Sequence, residues 1–148
     1  MLLRDGHVVG PPVDPFGLAQ LLGIMVVRAG GLPPSLDGFA IAGTRSHLIV
    51  LRGHPWPTRA RVTVAHEIAH LLLHTDEAIS FDGQASCRYS APLEDEARAF
   101  AAALLMPEPW VRSALRTGYH FRRLCSRFEV SKQMGRRRLA ALGLVMPH

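Results

Sequence analysis

The segment from Thr58 to His74 constrains the fold most, because its 17 residues contain neither glycine nor proline and carry a His-Glu-x-x-His pattern. Such an uninterrupted segment predicts one long helix with Thr58 as its N-cap. Residues four apart lie on the same face of a helix, so the imidazoles of His66 and His70 could bind one metal ion. Glu67 lies about 100° further round and would reach a water molecule on that metal. The pattern therefore predicts a metal site with a carboxylate beside it.

His74 continues the histidine spacing, but helical geometry argues against it as the third ligand. Eight residues span about 12 Å of helix axis, so a metal shared with His66 would have to lie over His70. A tetrahedral site with bonds of about 2 Å needs its third protein ligand from another segment. We predict that His74 caps the C-terminus of the helix. The side of the helix away from His66 is predicted to be buried, and it consists of Val62, Val64, Ile68, Ala69, Leu71, Leu72 and Leu73.

The third ligand is sought in a second helix, predicted from Pro92 to Met106. On a helical wheel Glu94 falls within the apolar arc of this helix, whereas Glu96 lies outside it. A carboxylate on a buried face costs several kcal/mol unless it is paired or binds a metal. The pattern therefore favours Glu94 as the third ligand, with Glu96 as the fallback. A surface salt bridge to Arg98 or Arg112 is the alternative role of Glu96.

Short helix and strand signals precede these two helices. The sequence predicts an α+β fold in which a small antiparallel sheet of about three strands packs against a mainly helical body. A single domain is expected over residues 1–148. Its parts are an irregular N-terminus (1–13), a helix and sheet (14–57), the metal-site helices (58–106) and a basic helical part (107–148). Within them we predict a helix at 15–22 capped by Asp14, strands near 24–27, 38–41 and 47–51, and a turn at 43–46.

A loop of 17 residues is predicted from Thr75 to Ala91. Loops of that length are uncommon in compact domains and are often functional. Cys87 lies in this loop, where it could occupy an open metal position or be a free thiol. The second cysteine, Cys125, has no C-x-x-C spacing to it, and no segment has the apolar length of a signal peptide or membrane span. A cytoplasmic protein with reduced thiols is therefore expected.

The formal net charge of +5 is concentrated in the C-terminal part of the chain. From Val111 onward, nine arginine and lysine residues are opposed by a single acid, Glu129. Such a segment could bind an acidic protein or nucleic acid, and it is equally consistent with surface helices that only face solvent. Residues 124–131 followed by 132–142 also have the pattern of a helix-turn-helix, which makes DNA binding a second hypothesis. The arginines near phosphates would then be Arg136, Arg137 and Arg138.

Three segments of the chain resemble the ImmA/IrrE family of zinc metallopeptidases. They are residues 62–74, which contain H-E-x-x-H-x-L-L-H, residues 94–103, and the Leu-Leu-Met-Pro of residues 104–107. The closing segment, residues 128–144, is also similar to the last helices of the family. The resemblance extends from about residue 14 to residue 145.

This resemblance assigns roles to the residues that match the family pattern. It implies that His66 and His70 are the histidine ligands of Zn²⁺, that Glu94 is the third ligand, and that Glu67 is the catalytic glutamate. The implied activity is a cytoplasmic bacterial or phage endopeptidase that uses zinc-activated water and Glu67 as general base. The implied substrate is a helix-turn-helix transcriptional repressor.

The chain departs from the family pattern at Arg98, where asparagine is usual. In the related gluzincin arrangement this position orients a ligand histidine, and arginine, which has no acceptor, cannot do so in the same way. We expect Arg98 to pair with Glu94 or a substrate carboxylate, which would weaken metal binding or activity. A metal-binding but inactive interaction protein is therefore a third hypothesis.

The remaining parts of a peptidase site are less constrained by the sequence. Tyr119 and His120 are candidates to stabilise the oxyanion, with a packed tyrosine and a surface histidine as the alternatives. An edge of the small sheet could hold an extended substrate by strand addition.

Overall fold

The computed structural model describes residues 10–53, 56–74 and 89–145. The described residues form six α-helices and three β-strands, which confirms the predicted α+β class. Most of the loop predicted after Thr75, including Cys87, lies outside these residues. In chain order the elements are α1 (Pro15–Leu21), β1 (Ile24–Ala29), β2 (Gly38–Ala42), β3 (His47–Arg52), α2 (Pro57–Leu73), α3 (Ala91–Leu105), α4 (Glu108–Arg116), α5 (Phe121–Phe128) and α6 (Lys132–Ala141).

The sheet is mixed, with β3 between β1 and β2. β2 pairs with β3 in the antiparallel direction, as predicted, across the short turn at residues 43–46. β1 pairs with β3 in parallel, so the prediction of a wholly antiparallel sheet is wrong for this pair. The connection from β1 to β3, residues 30–46, contains β2 and is long enough for the crossover that parallel neighbours need. Among the described strands, β1 and β2 are therefore the sheet edges.

The His-Glu-x-x-His segment forms α2, the central helix of the fold. α2 begins at Pro57 with Trp56 in the N-cap position, so the predicted N-cap at Thr58 is wrong by two residues. Proline is well suited to the first helical position, because the N–H that it lacks would have no partner within the helix. The helix contacts the sheet, α1 and α3. Because neighbours surround it, it is buried over most of its circumference.

The burial of α2 differs from the predicted apolar arc in two respects. Leu72 and Leu73 are 42% and 45% exposed near the end of the helix, although both were predicted to be buried. On the polar side Glu67 and His70 are buried, because that side lies under β2 and α3 rather than facing open solvent. Glu67 and His70 are therefore interior residues of this helix.

A close contact between β2 and α2 sets the position of the strand over this polar side. At Gly38, a Cβ atom would lie 2.7 Å from the Val50 carbonyl oxygen and 2.9 Å from Cγ2 of Thr63. Only glycine avoids both clashes, so the strand backbone approaches the helix directly. This approach places the backbone of Ala40 above Glu67.

The C-terminal half is helical, as predicted. α3 begins and ends one residue earlier than the predicted range of 92–106, and three shorter helices follow it. Gly118 and Glu129, with φ values of 84° and 52°, mark the ends of α4 and α5 in the left-handed region. One hydrophobic core joins the layers, and it includes Leu18, Ile24, Ile49, Val64, Leu104, Val111, Leu124 and Leu139. No helix in the described ranges is long and apolar enough to cross a membrane.

Candidate metal centre

Three side chains from two helices bring their donor atoms into one cluster. His66 and His70 come from successive turns of α2, and Glu94 comes from the first turn of α3. His66 Nε2 lies 3.0 Å from Glu94 Oε2 and 3.1 Å from His70 Nε2, and His70 Nε2 lies 3.3 Å from Glu94 Oε1. In a tetrahedral site with bonds of about 2 Å, ligand atoms lie roughly 3.3 Å apart. The residues present therefore fit a metal ion, and one donor atom from each lies within 4.8 Å of the others.

The electrostatics of the two histidines also suit metal binding. Burial lowers the pKa of His70 to about 3, and the neighbouring His66, His74 and Arg98 act in the same direction because a charge on His70 would be repelled by charge on any of them. Burial also lowers the pKa of His66, although the Glu94 carboxylate opposes this shift. Both imidazoles are therefore neutral near pH 7, which is the form that binds metals.

Glu67 lies beside the cluster and is not one of its donors. Only 7% of the residue is exposed, and its carboxylate accepts a hydrogen bond from the backbone N–H of Ala40. Burial, helped by the charge of Glu94, raises the pKa of Glu67 to about 8. A carboxyl group with a raised pKa can take up a proton and release it again at neutral pH. The sequence analysis likewise gives Glu67 a role separate from that of the ligands.

The cluster opens into a cleft of about 960 Å³. Residues 35–40, which lead into and form the start of β2, line one wall, and α3 and α6 line the other. Three cationic side chains lie along the helical wall: Arg98, Arg137 and Arg138. A cleft with an edge strand on one side and a donor cluster at its base can accommodate an extended peptide.

His74 and Glu96 continue the polar contacts behind His70. His74 occupies the predicted C-cap position, with its backbone N–H bonded to His70 O. Its side chain, however, is buried, with Nδ1 2.9 Å from His70 Nδ1 and Nε2 2.8 Å from Glu96 Oε2. Glu96 is therefore neither the fallback ligand nor the partner of Arg98 or Arg112, since its carboxylate binds His74.

Tyr89 is a site residue that the sequence reasoning missed. Its ring stacks on that of His70, with 3.7 Å between centroids and 6° between planes. It precedes α3 and lines the cleft. A tyrosine in an irregular segment carries no periodicity signal, so only the folded arrangement reveals this contact.

Arg98 lies at the rim of the cluster. Its Nη1 donates to Asp95 Oδ1 at 2.9 Å, while Nη2 is 3.8 Å from Glu94 Oε2. The expected pairing with Glu94 is thus present, but the closer partner is Asp95. Because the side chain of Arg98 is 54% exposed, its attraction for Glu94 is screened by solvent.

The two residues proposed as oxyanion stabilisers lie elsewhere. Tyr119 packs under the guanidinium of Arg123, which is 4.2 Å from the ring centroid. His120 is the N-cap of α5, and its Nδ1 accepts from the Arg123 backbone N–H. Neither residue lines the cleft, so the two alternatives, a packed tyrosine and a surface histidine, describe them correctly.

The helix-turn-helix pattern corresponds to α5, the turn at Glu129 and α6. The side of α6 that carries Arg137 and Arg138 faces the metal cleft, and Arg138 Nε donates to the carbonyl of Met106 at 2.9 Å. Arg136 lies over the ring of Phe121. Of the three arginines assigned to phosphates, Arg136 and Arg138 thus contact other parts of the protein, and Arg137 lines the metal cleft.

Comparisons with known proteins identify the family of the chain. The Deinococcus radiodurans radiation response metalloprotease IrrE is 36% identical over 92 residues, which are 57% of this chain and 28% of IrrE. A solved Mycobacterium tuberculosis transcriptional regulator shares the fold with a TM-score of 0.67 at 23% identity, over 94% of this chain and 44% of that one. The chain thus spans less than half of each of these relatives. A sequence model of the peptidase M78 family, described as the IrrE N-terminal-like domain, matches residues 19–140. Because this match extends from α1 into α6, the chain belongs to the IrrE N-terminal-like family of metallopeptidases, as its resemblance to ImmA/IrrE proteins predicted.

Proposed function

We propose that the protein is a zinc-dependent endopeptidase. The observation that supports this most directly is the arrangement of three metal donors and one buried, uncoordinated carboxylate at the base of a peptide-sized cleft. Two imidazoles and one carboxylate, with a position left open, are the donor set of catalytic zinc sites. Zinc is favoured over magnesium or calcium because those ions prefer oxygen ligands.

The proposed mechanism divides the chemistry between the metal and Glu67. When bound, Zn²⁺ would supply Lewis acidity and lower the pKa of a water molecule toward about 7. The deprotonated form of Glu67 would accept the proton from the attacking water and return it to the amine of the leaving peptide. The Ala40 N–H holds the carboxylate in place, and the surrounding burial keeps its proton affinity high. Neither effect requires Glu67 to bind the metal.

The proposed substrate is a helix-turn-helix transcriptional repressor. This choice follows from the resemblance to ImmA/IrrE proteins, whose substrates are of that class. The cationic wall of the cleft would suit a segment of the repressor with acidic residues next to the cleaved bond.

Metal-dependent cleavage of a repressor is the direct test. The purified chain is incubated with candidate helix-turn-helix repressors from its source organism, and products are identified by mass spectrometry. We expect a single cleavage that stops when a chelator is added and returns with stoichiometric zinc. Cleavage that persists in the chelator after metal removal has been verified would contradict a zinc mechanism.

The free edge of β2 is the proposed binding surface for the substrate backbone. The backbone carbonyl of Asp37 accepts a hydrogen bond from Arg52 N–H, so Asp37 bonds to β3. In an antiparallel pair the residues that bond to the partner strand alternate with residues whose N–H and C=O point away from it. The Ala40 N–H follows this alternation, because it bonds to Glu67 and not to β3. The backbone groups of Gly38, Ala40 and Ala42 therefore lie at this edge, and Gly38 and Ala40 line the cleft. An extended peptide could add there as a further strand.

We expect Ala42→Pro to weaken substrate binding, because proline removes an edge N–H without removing a bond to β3. The loss of one backbone hydrogen bond of about 1 kcal/mol predicts a KM about fivefold higher with a smaller change in kcat. Steady-state kinetics on the repressor measure both constants. Ala42→Val, which keeps the N–H, is the control, and a folded proline variant with unchanged KM would rule out strand addition at this residue.

A further inference from the structure

A series of side-chain contacts behind the metal cluster connects the protein surface to His70. Glu96 Oε2 contacts His74 Nε2 at 2.8 Å, and His74 Nδ1 contacts His70 Nδ1 at 2.9 Å. The other ring nitrogen of His70 is the one that faces His66 and Glu94. We propose that His74 and Glu96 are positioning residues that hold His70 in the one tautomer able to bind the metal.

When His74 is neutral, counting the protons along this series of contacts leads to a single consistent arrangement. A carboxylate only accepts hydrogen bonds, so His74 Nε2 must donate to Glu96. A neutral imidazole has one donor and one acceptor, so His74 Nδ1 is the acceptor. His70 Nδ1 must then be the donor, which leaves the Nε2 lone pair of His70 free for the metal. The contacts therefore determine which nitrogen of His70 carries the proton.

His74 itself cannot serve as a further ligand in this arrangement. Its Nδ1 faces His70 Nδ1, on the side of the His70 ring opposite the nitrogen in the cluster. The described residues whose donor atoms lie within 4.8 Å of one another are His66, His70 and Glu94. The role of His74 is therefore exerted through His70.

Helix capping alone does not account for the His74 side chain. The capping contact uses the backbone N–H of His74, which any residue other than proline provides. The imidazole is only 3% exposed, and both of its nitrogens are bonded within the protein. A buried polar ring is costly unless both nitrogens are satisfied, so the pairing with Glu96 and His70 supports its burial.

The two partners should contribute unequally. His74 is buried and contacts the ligand directly, whereas the side chain of Glu96 is 58% exposed at the outer end. Outer partners of metal-bound histidines typically change metal affinity by about 10- to 100-fold. We therefore expect the zinc affinity to fall by a factor in this range in His74→Phe, because phenylalanine fills the space but has no hydrogen-bond acceptor. For Glu96→Ala we expect the zinc affinity to fall by about three- to tenfold, because solvent screens the charge of Glu96.

Zinc affinity is measured by competition with a chromogenic chelator, which does not depend on peptide cleavage. Glu96→Gln keeps an acceptor for His74 and should recover most of the affinity lost in Glu96→Ala. Glu108→Ala is the matched control, because Glu108 is an exposed glutamate paired with Arg112 outside the cleft. Its zinc affinity should equal that of the unmodified chain.

The proton position is read from ¹H–¹⁵N correlation spectra of the zinc-loaded imidazoles. We expect His70 to carry its proton on Nδ1, and this signal to lose protection from exchange in Glu96→Ala and His74→Phe. The inference is overturned if Glu96→Ala has the same zinc affinity and the same exchange rate of the His70 Nδ1 proton as Glu108→Ala. This comparison can be made even if His74→Phe does not fold. The inference depends on the metal site of the proposed function. If these variants change the zinc affinity of a protein that cleaves no peptide, the inference stands and only the peptidase assignment is refuted.

Discussion

Replacing Glu67 with glutamine is expected to abolish peptide cleavage while one zinc ion per chain remains bound. Glutamine has the size of glutamate and can still accept the Ala40 N–H, but its amide cannot take a proton from water. General acid–base catalysis by one side chain contributes about 10²- to 10⁴-fold, so the rate should fall by at least that range. Initial rates on the repressor and metal content by mass spectrometry measure the two quantities separately.

The control for this experiment is Glu108→Gln, the same substitution at an exposed glutamate outside the cleft. Its rate should equal that of the unmodified chain. A Glu67→Gln variant that still cleaves would refute the assignment of Glu67 as the proton acceptor. If the unmodified chain binds zinc and cleaves nothing, the hypothesis of an inactive interaction protein gains support, with Arg98 beside Glu94 as its structural basis.

The cluster of candidate metal ligands was predictable because helical periodicity relates residues a few positions apart. His66 and His70 lie one turn apart on a helix that the sequence defines clearly, so their common face follows from geometry. Glu94 is more distant, yet its place in the apolar arc of α3 indicates that it faces inward. Burial of a carboxylate without a partner is costly, and this physical constraint favoured Glu94 over Glu96. The structure places all three side chains in one cluster.

Features that depend on packing between distant segments were not predictable in this way. Strand propensity located β1 and β3 but contains no information on their relative direction, which depends on the path of residues 30–46. The stacking of Tyr89 on His70 likewise joins an irregular segment to a helix. His74 shows the same limit, because its spacing argues against a role as ligand, but only the folded structure reveals that its side chain contacts Glu96.

Replacing Glu94 with alanine is expected to remove stoichiometric zinc binding, because two histidines alone leave the metal without its third protein ligand. Ligands that bind only the folded state stabilise it, by about 2.7 kcal/mol at a concentration one hundred times Kd. For a domain of this size, added zinc should then raise the Tm of the unmodified chain by roughly 5–10 °C and leave Glu94→Ala unchanged. Metal analysis after dialysis and thermal unfolding with and without zinc measure these effects. Asp95→Ala, one residue further on α3, should keep the shift, because the exposed carboxylate of Asp95 pairs with Arg98 and is not part of the donor cluster. A Glu94→Ala variant that retains one zinc per chain would show that another residue completes the site.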